Sequence, residues 1–232
     1  FPPCFPHSSW PVNPLLVIAG KPMIQHVYER ALESDADKVI IATDDERIAD
    51  TVTAFDADVC MTAETHRSGT DRLAEVVEKR QFNDEEIVIN VQGDEPCLPA
   101  LLINQVAADL APHKEADMDS LFSRIHPEKQ VFDPNVVKVV MDNQGYALYF
   151  SRAPIPWMRD HFHKTELPPE LPHYRHIGLY GYRAHFLKNY AGMAPCLLET
   201  EESLEQLRVL FHGKKIHMSE ALTRARQGGV TV

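Results

Sequence analysis

The sequence predicts an α/β fold, a three-layer sandwich around a mostly parallel mixed sheet. Two observations carry this prediction. From about Gly20 to Leu110, short apolar runs alternate with stretches of about ten residues that have helical periodicity, which is the rhythm of a doubly wound parallel sheet. After residue 136, two strand-like runs surround a turn, which indicates antiparallel strands added to that sheet.

The individual elements follow from this alternation. Pro22 suits a first helical position, and Ile24, Val27, Tyr28 and Ala31 recur at helical spacing after it. The same reading predicts strands at 39–43, 58–62 and 87–91, helices at 70–79 and 100–110, a hairpin at 136–150, a strand at 177–183 and a helix at 201–211. Residues 154–173, rich in Pro and His, are predicted to form a loop.

The strand at 87–91 is the stretch around which the chain is organised. It is β-branched and apolar, which is typical of a strand buried on both faces of a parallel sheet. Gln92, Asp94 and Glu95 follow its carboxyl end, where ligands bind in open α/β sheets. Asp94 is therefore a candidate ligand for Mg²⁺ together with substrate phosphates. An alternative is that Asp94 and Glu95 merely cap the next helix.

Composition excludes several functions. The chain has 34 acidic and 23 basic residues, a net charge of −11, which disfavours nucleic acid and anionic membranes as partners. No run of about 18 apolar residues could span a bilayer, so we expect a cytoplasmic protein. The four cysteines are far apart and contain no C-x-x-C pair, so we expect reduced thiols rather than disulfides or a zinc site.

Seven short motifs follow one another along the chain. They are Gly-Lys-Pro-Met-Ile (20–24), Ala-Thr-Asp (42–44), His-x-Ser-Gly-Thr-Asp-Arg-Leu (66–73), Val-Gln-Gly-Asp-Glu-Pro (91–96), Tyr-Phe-Ser-Arg-Ala-x-Ile-Pro (149–156), Arg-His-Ile-Gly-Leu-Tyr-Gly-Tyr-Arg (175–183) and Leu-Glu-Gln-Leu-Arg-Val-Leu (204–210). Several motifs in the right order are specific, whereas any one alone is weak. Their order resembles the 3-deoxy-manno-octulosonate cytidylyltransferases, or CMP-Kdo synthetases.

The resemblance implies an activity and a fold. It implies a single nucleotide-diphospho-sugar transferase-like domain over residues 1–232, in which 136–183 form an antiparallel insertion on the sugar side or the dimer side. The enzyme would transfer CMP from CTP to Kdo with Mg²⁺ and release pyrophosphate for lipopolysaccharide synthesis. Family members are usually homodimers, so the resemblance also implies a homodimer.

The resemblance also assigns site residues. Asp94 matches the metal-binding carboxylate, and Ser68 and Gly69 match the loop that recognises cytosine. Taken alone, Ser68 is more simply explained as the N-cap of the following helix. The sugar-binding set implied by the resemblance is Gln92, Arg152, His176, Tyr180, Glu205 and Gln206. A planar guanidinium such as that of Arg152 suits a sugar carboxylate, and the other side chains supply mixed donors and acceptors.

Two stretches depart from the family pattern. The family has a basic phosphate loop after its first strand, but the atypical residues 1–17 contain five prolines and no Arg or Lys before Ile18. The atypical tail at 221–232 lacks the family's second metal-binding Asp, and no Asp follows Asp160. We hypothesise a local frameshift at the first stretch. An impaired relative that binds a CMP-sugar or a partner without turnover is the alternative, and loss of a first strand predicts marginal stability.

Overall fold

The computed structural model of the protein describes residues 14–66, 68–126, 128–162 and 172–223. Most of the two atypical stretches, and half of the predicted loop at 154–173, lie outside these residues. The described helices are α1 (Met23–Leu32), α2 (Glu46–Thr53), α3 (Gly69–Lys79), α4 (Ala100–Leu110), α5 (Ala184–Tyr190), α6 (Leu197–Glu202) and α7 (Gln206–Phe211), with a 3₁₀ helix at Glu128–Val131.

The strands include four that the sequence did not predict. The described strands are β1 (Val17–Ile18), β2 (Lys21–Pro22), β3 (Ile40–Thr43), β4 (Asp58–Met61), β5 (Ile87–Asn90), β6 (Met118–Arg124), β7 (Lys138–Met141), β8 (Ala147–Ser151), β9 (Tyr174–Arg183) and β10 (Ile216–Glu220). The unpredicted strands are β1, β2, β6 and β10, and the last two belong to the main sheet, where they pair in parallel with each other. The predicted hairpin is confirmed, since β7 and β8 pair antiparallel.

The main sheet is mixed and is centred on the long strand β9. Its order is β10-β6-β9-β7-β8, with β5 also paired to β9. One edge of β9 lies along β6, and its other edge pairs first with β7 and then with β5. The predicted α/β fold class is therefore confirmed, with parallel pairing for β6–β10 and antiparallel pairing for every neighbour of β9.

The expectation for the strand at 87–91 needs a correction. Its partner in the main sheet is β9, and the pairing is antiparallel, with Val88 opposite Tyr182. All four residues of β5 are half-buried rather than fully buried. The parallel pair predicted around it is found instead between β3 and β4, which form a separate two-stranded sheet. No described strand pairs with the second edge of β3 or with the second edge of β5.

Helices cover both faces of the main sheet, so the three layers are confirmed. On one face, α4 packs against β6 and β9 with Leu102, Ile103 and Val106 in the core. On the other face, α3, α5 and α7 enclose a larger core that includes Val77, Phe186 and Leu207. In β9, Leu179 packs with the α4 core and Tyr182 with the larger core, as the predicted alternation of faces requires.

The sequence predicts one helix at 201–211, and this prediction is wrong. The chain forms α6 and α7, and Ser203 between them has φ +50°, in the left-handed region. A non-glycine residue rarely adopts this conformation without support from its surroundings. That support comes from Arg152, whose Nε donates to Glu202 O at 2.7 Å and whose Nη2 donates to Ser203 O at 3.3 Å.

Two further sequence predictions concern cysteines and membranes. Cys60, Cys97 and Cys196 are free thiols, as predicted, and Cys4 lies outside the described residues. Within the ranges that the structure describes, no helix is long and apolar enough to cross a membrane.

Candidate active site

A cavity of about 1120 Å³ lies between β3 and β5. Its walls are the inner faces of α1, α3 and α4, and its far side is formed by β9 and α7. Six of the nine predicted site residues line it, namely Gly69, Gln92, Asp94, Tyr180, Glu205 and Gln206. The fold therefore brings residues that are more than one hundred positions apart in the sequence to one space.

The carboxyl ends of β3 and β5 meet at the amino end of α3. Arg72, in the first turns of α3, donates to Asp44 just after β3, at 2.7 Å. A Cβ atom added at Gly69 would lie 3.8 Å from Nδ2 of the Asn90 side chain, and Asn90 is the last residue of β5. The polar residues after β5 therefore lie beside the first turns of α3 and the end of β3. Their role in ligand binding stays a prediction.

Asp94 is an exposed carboxylate on the turn after β5, at the wall of this cavity. The turn is closed by backbone hydrogen bonds from Glu95 N to Gln92 O and from Leu98 N to Glu95 O, each 3.2 Å. Among the described residues, no group of three or more His, Cys, Asp or Glu could hold a metal ion by itself. One carboxylate that shares a cation with substrate phosphates is a usual arrangement for Mg²⁺, so Asp94 fits that ion.

Ser68 is the N-cap of α3, which confirms the simpler explanation of this residue. Its Oγ accepts a hydrogen bond from Asp71 N at 3.1 Å and donates to Asp71 Oδ2 at 2.9 Å. The next residue, Gly69, has no side chain, so the amino end of α3 borders the cavity directly. Thr70, which the sequence analysis missed, donates from Oγ1 to Glu205 Oε2 at 3.2 Å and so joins the two sides of the cavity.

Buried polar groups without partners lie where α5 and α7 border the cavity. Among the described residues, Gln206 Nε2 and Tyr190 OH have no hydrogen-bond partner. Both residues line the cavity, so a ligand that enters could satisfy them. Sequence reasoning missed Tyr190, because its position in α5 has the spacing of a core residue. Burial holds the pKa of Tyr180 well above its ordinary value, so this hydroxyl remains a donor at neutral pH.

His176 lies behind Tyr180, with 5.3 Å between the ring centroids, and its other side contacts the Phe150 ring at 5.0 Å. The side chain is buried, and its Nε2 lies 2.9 Å from Ser120 Oγ. Burial, with a smaller contribution from the nearby Arg175, lowers the pKa of His176 to about 3. The imidazole is therefore neutral at physiological pH and can accept as well as donate a hydrogen bond.

The structure places Arg152 in a different environment from the one expected for a carboxylate ligand. In addition to Glu202 O and Ser203 O, the guanidinium donates to Pro134 O at 2.9 Å. Its backbone N–H donates to the Glu202 carboxylate at 2.8 Å. Arg152 thus holds the turn that precedes Glu205 and Gln206. Its predicted contact with a sugar carboxylate stays a prediction, and that contact would compete with these carbonyl acceptors.

Comparisons with known proteins show the family of the chain. The family model for cytidylyltransferases matches residues 11–216. The 3-deoxy-manno-octulosonate cytidylyltransferase of Pseudoalteromonas atlantica is 52% identical over 222 residues, which cover 95% of this chain and 87% of that protein. The enzyme of the same name from Hahella chejuensis is 53% identical over 225 residues, which cover 96% and 88%.

Solved structures show the same relationship. A CMP:2-keto-3-deoxy-manno-octonic acid synthetase complexed with CTP superposes with a TM-score of 0.80 at 39% identity, covering 90% of this chain and 82% of that one. A 4-diphosphocytidyl-2C-methyl-D-erythritol synthase, at 13% identity and a TM-score of 0.57, shares the fold. The family match and the identities above 50% lead to one conclusion: this chain belongs to the cytidylyltransferase family.

Proposed function

We propose that this chain transfers the cytidylyl group of CTP to the anomeric hydroxyl of Kdo, giving CMP-Kdo and pyrophosphate for lipopolysaccharide synthesis. The observation that carries the proposal is the single cavity that joins Gly69, Gln92 and Asp94 to Tyr180, Glu205 and Gln206. The two relatives above bear the name of this activity, which supports the assignment. CTP and Kdo are the proposed substrates, and we expect the reaction to take place in the cytoplasm, where CTP is available.

In the proposed reaction, the anomeric oxygen of Kdo attacks the α-phosphorus of CTP. A new oxygen–phosphorus bond forms, the bond to the bridging oxygen of the β-phosphate breaks, and pyrophosphate leaves with that electron pair. The hydroxyl proton passes to solvent. Such a reaction is accelerated mainly by alignment of the two oxygens and by charge stabilisation rather than by covalent catalysis.

Each side of the cavity has a separate task in this proposal. Asp94 would hold Mg²⁺, which when bound supplies positive charge to the phosphates. Ser68 and Gly69, at the amino end of α3, would contact the cytosine. Gln92, Tyr180 and His176 would bind the sugar. Glu205 and Gln206 would complete the sugar pocket, because the turn held by Arg152 presents both of them to the cavity.

The test is pyrophosphate release by the purified chain with CTP, Mg²⁺ and Kdo. We expect turnover in the wild type and a loss of about 10²-fold or more in kcat for Asp94→Asn, since the neutral amide holds the cation weakly. Asp50→Asn is the matched control, because Asp50 is an exposed residue of α2 outside the cavity. Equal rates for Asp94→Asn and the wild type would contradict the role of Asp94.

The second candidate is a relative that binds CMP-Kdo without turnover. It is favoured by the absence of Arg and Lys from residues 1–17. A chain that melts cooperatively and binds CMP-Kdo, measured by calorimetry, but releases no pyrophosphate would establish it. We also propose a homodimer, which sedimentation velocity at several protein concentrations would test.

A further inference from the structure

A buried serine of β6 contacts the sugar side of the site from behind. Ser120 has no exposed surface, and its Oγ lies close to three groups of β9. The distances are 2.9 Å to His176 Nε2, 3.0 Å to Ile177 O and 2.9 Å to Leu179 O. A single hydroxyl therefore joins the backbone and the side chain of the strand that carries His176 and Tyr180.

These contacts lie at an irregularity in the pairing of β6 with β9. Ser120 is opposite Tyr180, but the next residue, Leu121, is opposite Ile177, so β9 carries two extra residues between them. Gln92 also reaches this bulge, because its Nε2 lies 3.4 Å from Gly178 O. Bulges next to binding sites re-aim side chains. Here the bulge orients three residues that the proposed function assigns to the sugar.

The contacts of Ser120 favour one tautomer of His176. A serine hydroxyl has one proton, and both carbonyl oxygens near it can only accept. With the Ser120 proton directed to these carbonyls, the contact with His176 has Nε2–H as the donor to Oγ. In a neutral imidazole the other nitrogen, Nδ1, is then an acceptor.

We infer that Ser120 is a positioning residue for sugar binding, which holds the bulge of β9 and fixes His176 in the tautomer whose Nδ1 accepts a hydrogen bond from a sugar hydroxyl. This inference rests on the proposed function, because it assumes that His176 contacts the sugar. The burial of His176 supports it independently, since an imidazole in that environment stays neutral.

The kinetic test uses Ser120→Ala. We expect KM for Kdo to rise about tenfold, the effect of one lost hydrogen bond, while kcat and KM for CTP change less than twofold. Ser120→Thr keeps the hydroxyl and should return KM for Kdo towards the wild-type value. Asp119→Asn is the matched control, because Asp119 is the neighbouring buried residue of β6 and its carboxylate faces His217 instead, at 2.6 Å.

A spectroscopic test does not depend on turnover. In a ¹⁵N-histidine NMR spectrum of the wild-type chain, we expect His176 as the Nε2–H tautomer, and in Ser120→Ala we expect a mixture of tautomers. A wild-type Nδ1–H tautomer would overturn the inference even if the variant failed to fold. An unchanged KM for Kdo in a folded Ser120→Ala variant would overturn it as well.

The two tests also separate this inference from the proposed function. A wild type without turnover would reject the transferase activity, and the tautomer would then decide the role of Ser120 alone. A wild type with turnover, combined with an unaffected variant, would reject only the role of Ser120.

Discussion

The two sides of the cavity differ in how their strands are paired. On the sugar side, β9 has hydrogen-bonded neighbours on both edges, and the residues proposed to bind Kdo lie in or beside paired elements. On the nucleotide side, β3 pairs only with β4 among the described strands, and its second edge faces the cavity. Unpaired backbone groups need water or another partner, so we expect local unfolding to require less free energy on the nucleotide side than on the sugar side.

We therefore expect the two sides of the site to differ in mobility. On the sugar side, side chains such as Ser120 and Arg152 bind the irregular backbone, so we expect this side to be the more rigid of the two. The nucleotide side presents Gly69 at the amino end of α3 and Asp94 on the turn after β5. Four predictions test this comparison, beginning with the largest expected effect.

Removing core side chains should distinguish the two sides most strongly. Leu187, in α5, is completely buried in the larger core, whereas Ile41, in β3, lines the cavity. We expect Leu187→Ala to lower the free energy of unfolding by about 4 kcal/mol and Ile41→Ala by about 2 kcal/mol, because the second site already borders open space. Urea unfolding measures both, and equal losses would show that the two sides are equally well packed.

Acidification should weaken the sugar side through His176. Its pKa is about 3 in the folded state and about 6.5 in an unfolded chain, so below pH 6.5 the unfolded chain binds a proton that the folded protein excludes. The free energy of unfolding therefore falls by about 3 kcal/mol by pH 4.5. Burial raises the pKa of Asp119 to about 6, which acts in the opposite direction, so the comparison must be made with His176→Gln.

We therefore expect the unfolding free energy of His176→Gln to fall less between pH 7 and pH 4.5 than that of the wild type. His126→Gln, at an exposed histidine, should follow the wild type. Identical pH slopes for the wild type and His176→Gln would show that His176 is accessible to protons in the folded state.

A methyl group at Gly181 should disturb the contact between β9 and α4. A Cβ atom added there would lie 2.6 Å from Val106 Cγ1 and 3.1 Å from Ile89 Cδ1. We expect Gly181→Ala to cost about 1–3 kcal/mol of stability through this overpacking. Gly192→Ala is the control, since its nearest neighbour is Asn189 O at 3.5 Å. Thermal melting distinguishes the two, and a stable Gly181→Ala variant would mean that α4 can move away from the sheet.

The smallest effect is expected at Lys21, in β2. Its Nζ lies 2.7 Å from Glu29 Oε1, and both side chains are about 40% exposed or more, so solvent screens this surface ion pair and its contribution to stability is small. We expect Lys21→Met to leave KM for CTP within twofold of the wild type. Glu29→Gln, which removes the same ion pair, should give the same KM for CTP. A large increase in KM for CTP in Lys21→Met alone would mean that this lysine reaches the nucleotide.

The sequence predicted local structure well where one signal dominated. Apolar spacing placed α1, α3 and α4 to within a few residues, and Asp45 and Ser68 cap the helices that follow them. It failed where a distant contact decided the outcome. The helix expected at 201–211 is broken at Ser203 because Arg152, fifty residues earlier, binds the carbonyls of the turn. No local pattern reports such a contact.

The site shows the same limit. The sequence alone predicted Asp94 as a candidate ligand at the end of a strand, and the motif order added further residues. Six of the predicted site residues, Asp94 among them, line one cavity in the fold. Hydrophobic periodicity reports which face of an element is buried, but not which element covers it. The antiparallel pairing of β5, the bulge of β9 and the bond from His176 to Ser120 join residues far apart in the chain, so only the tertiary structure could decide them.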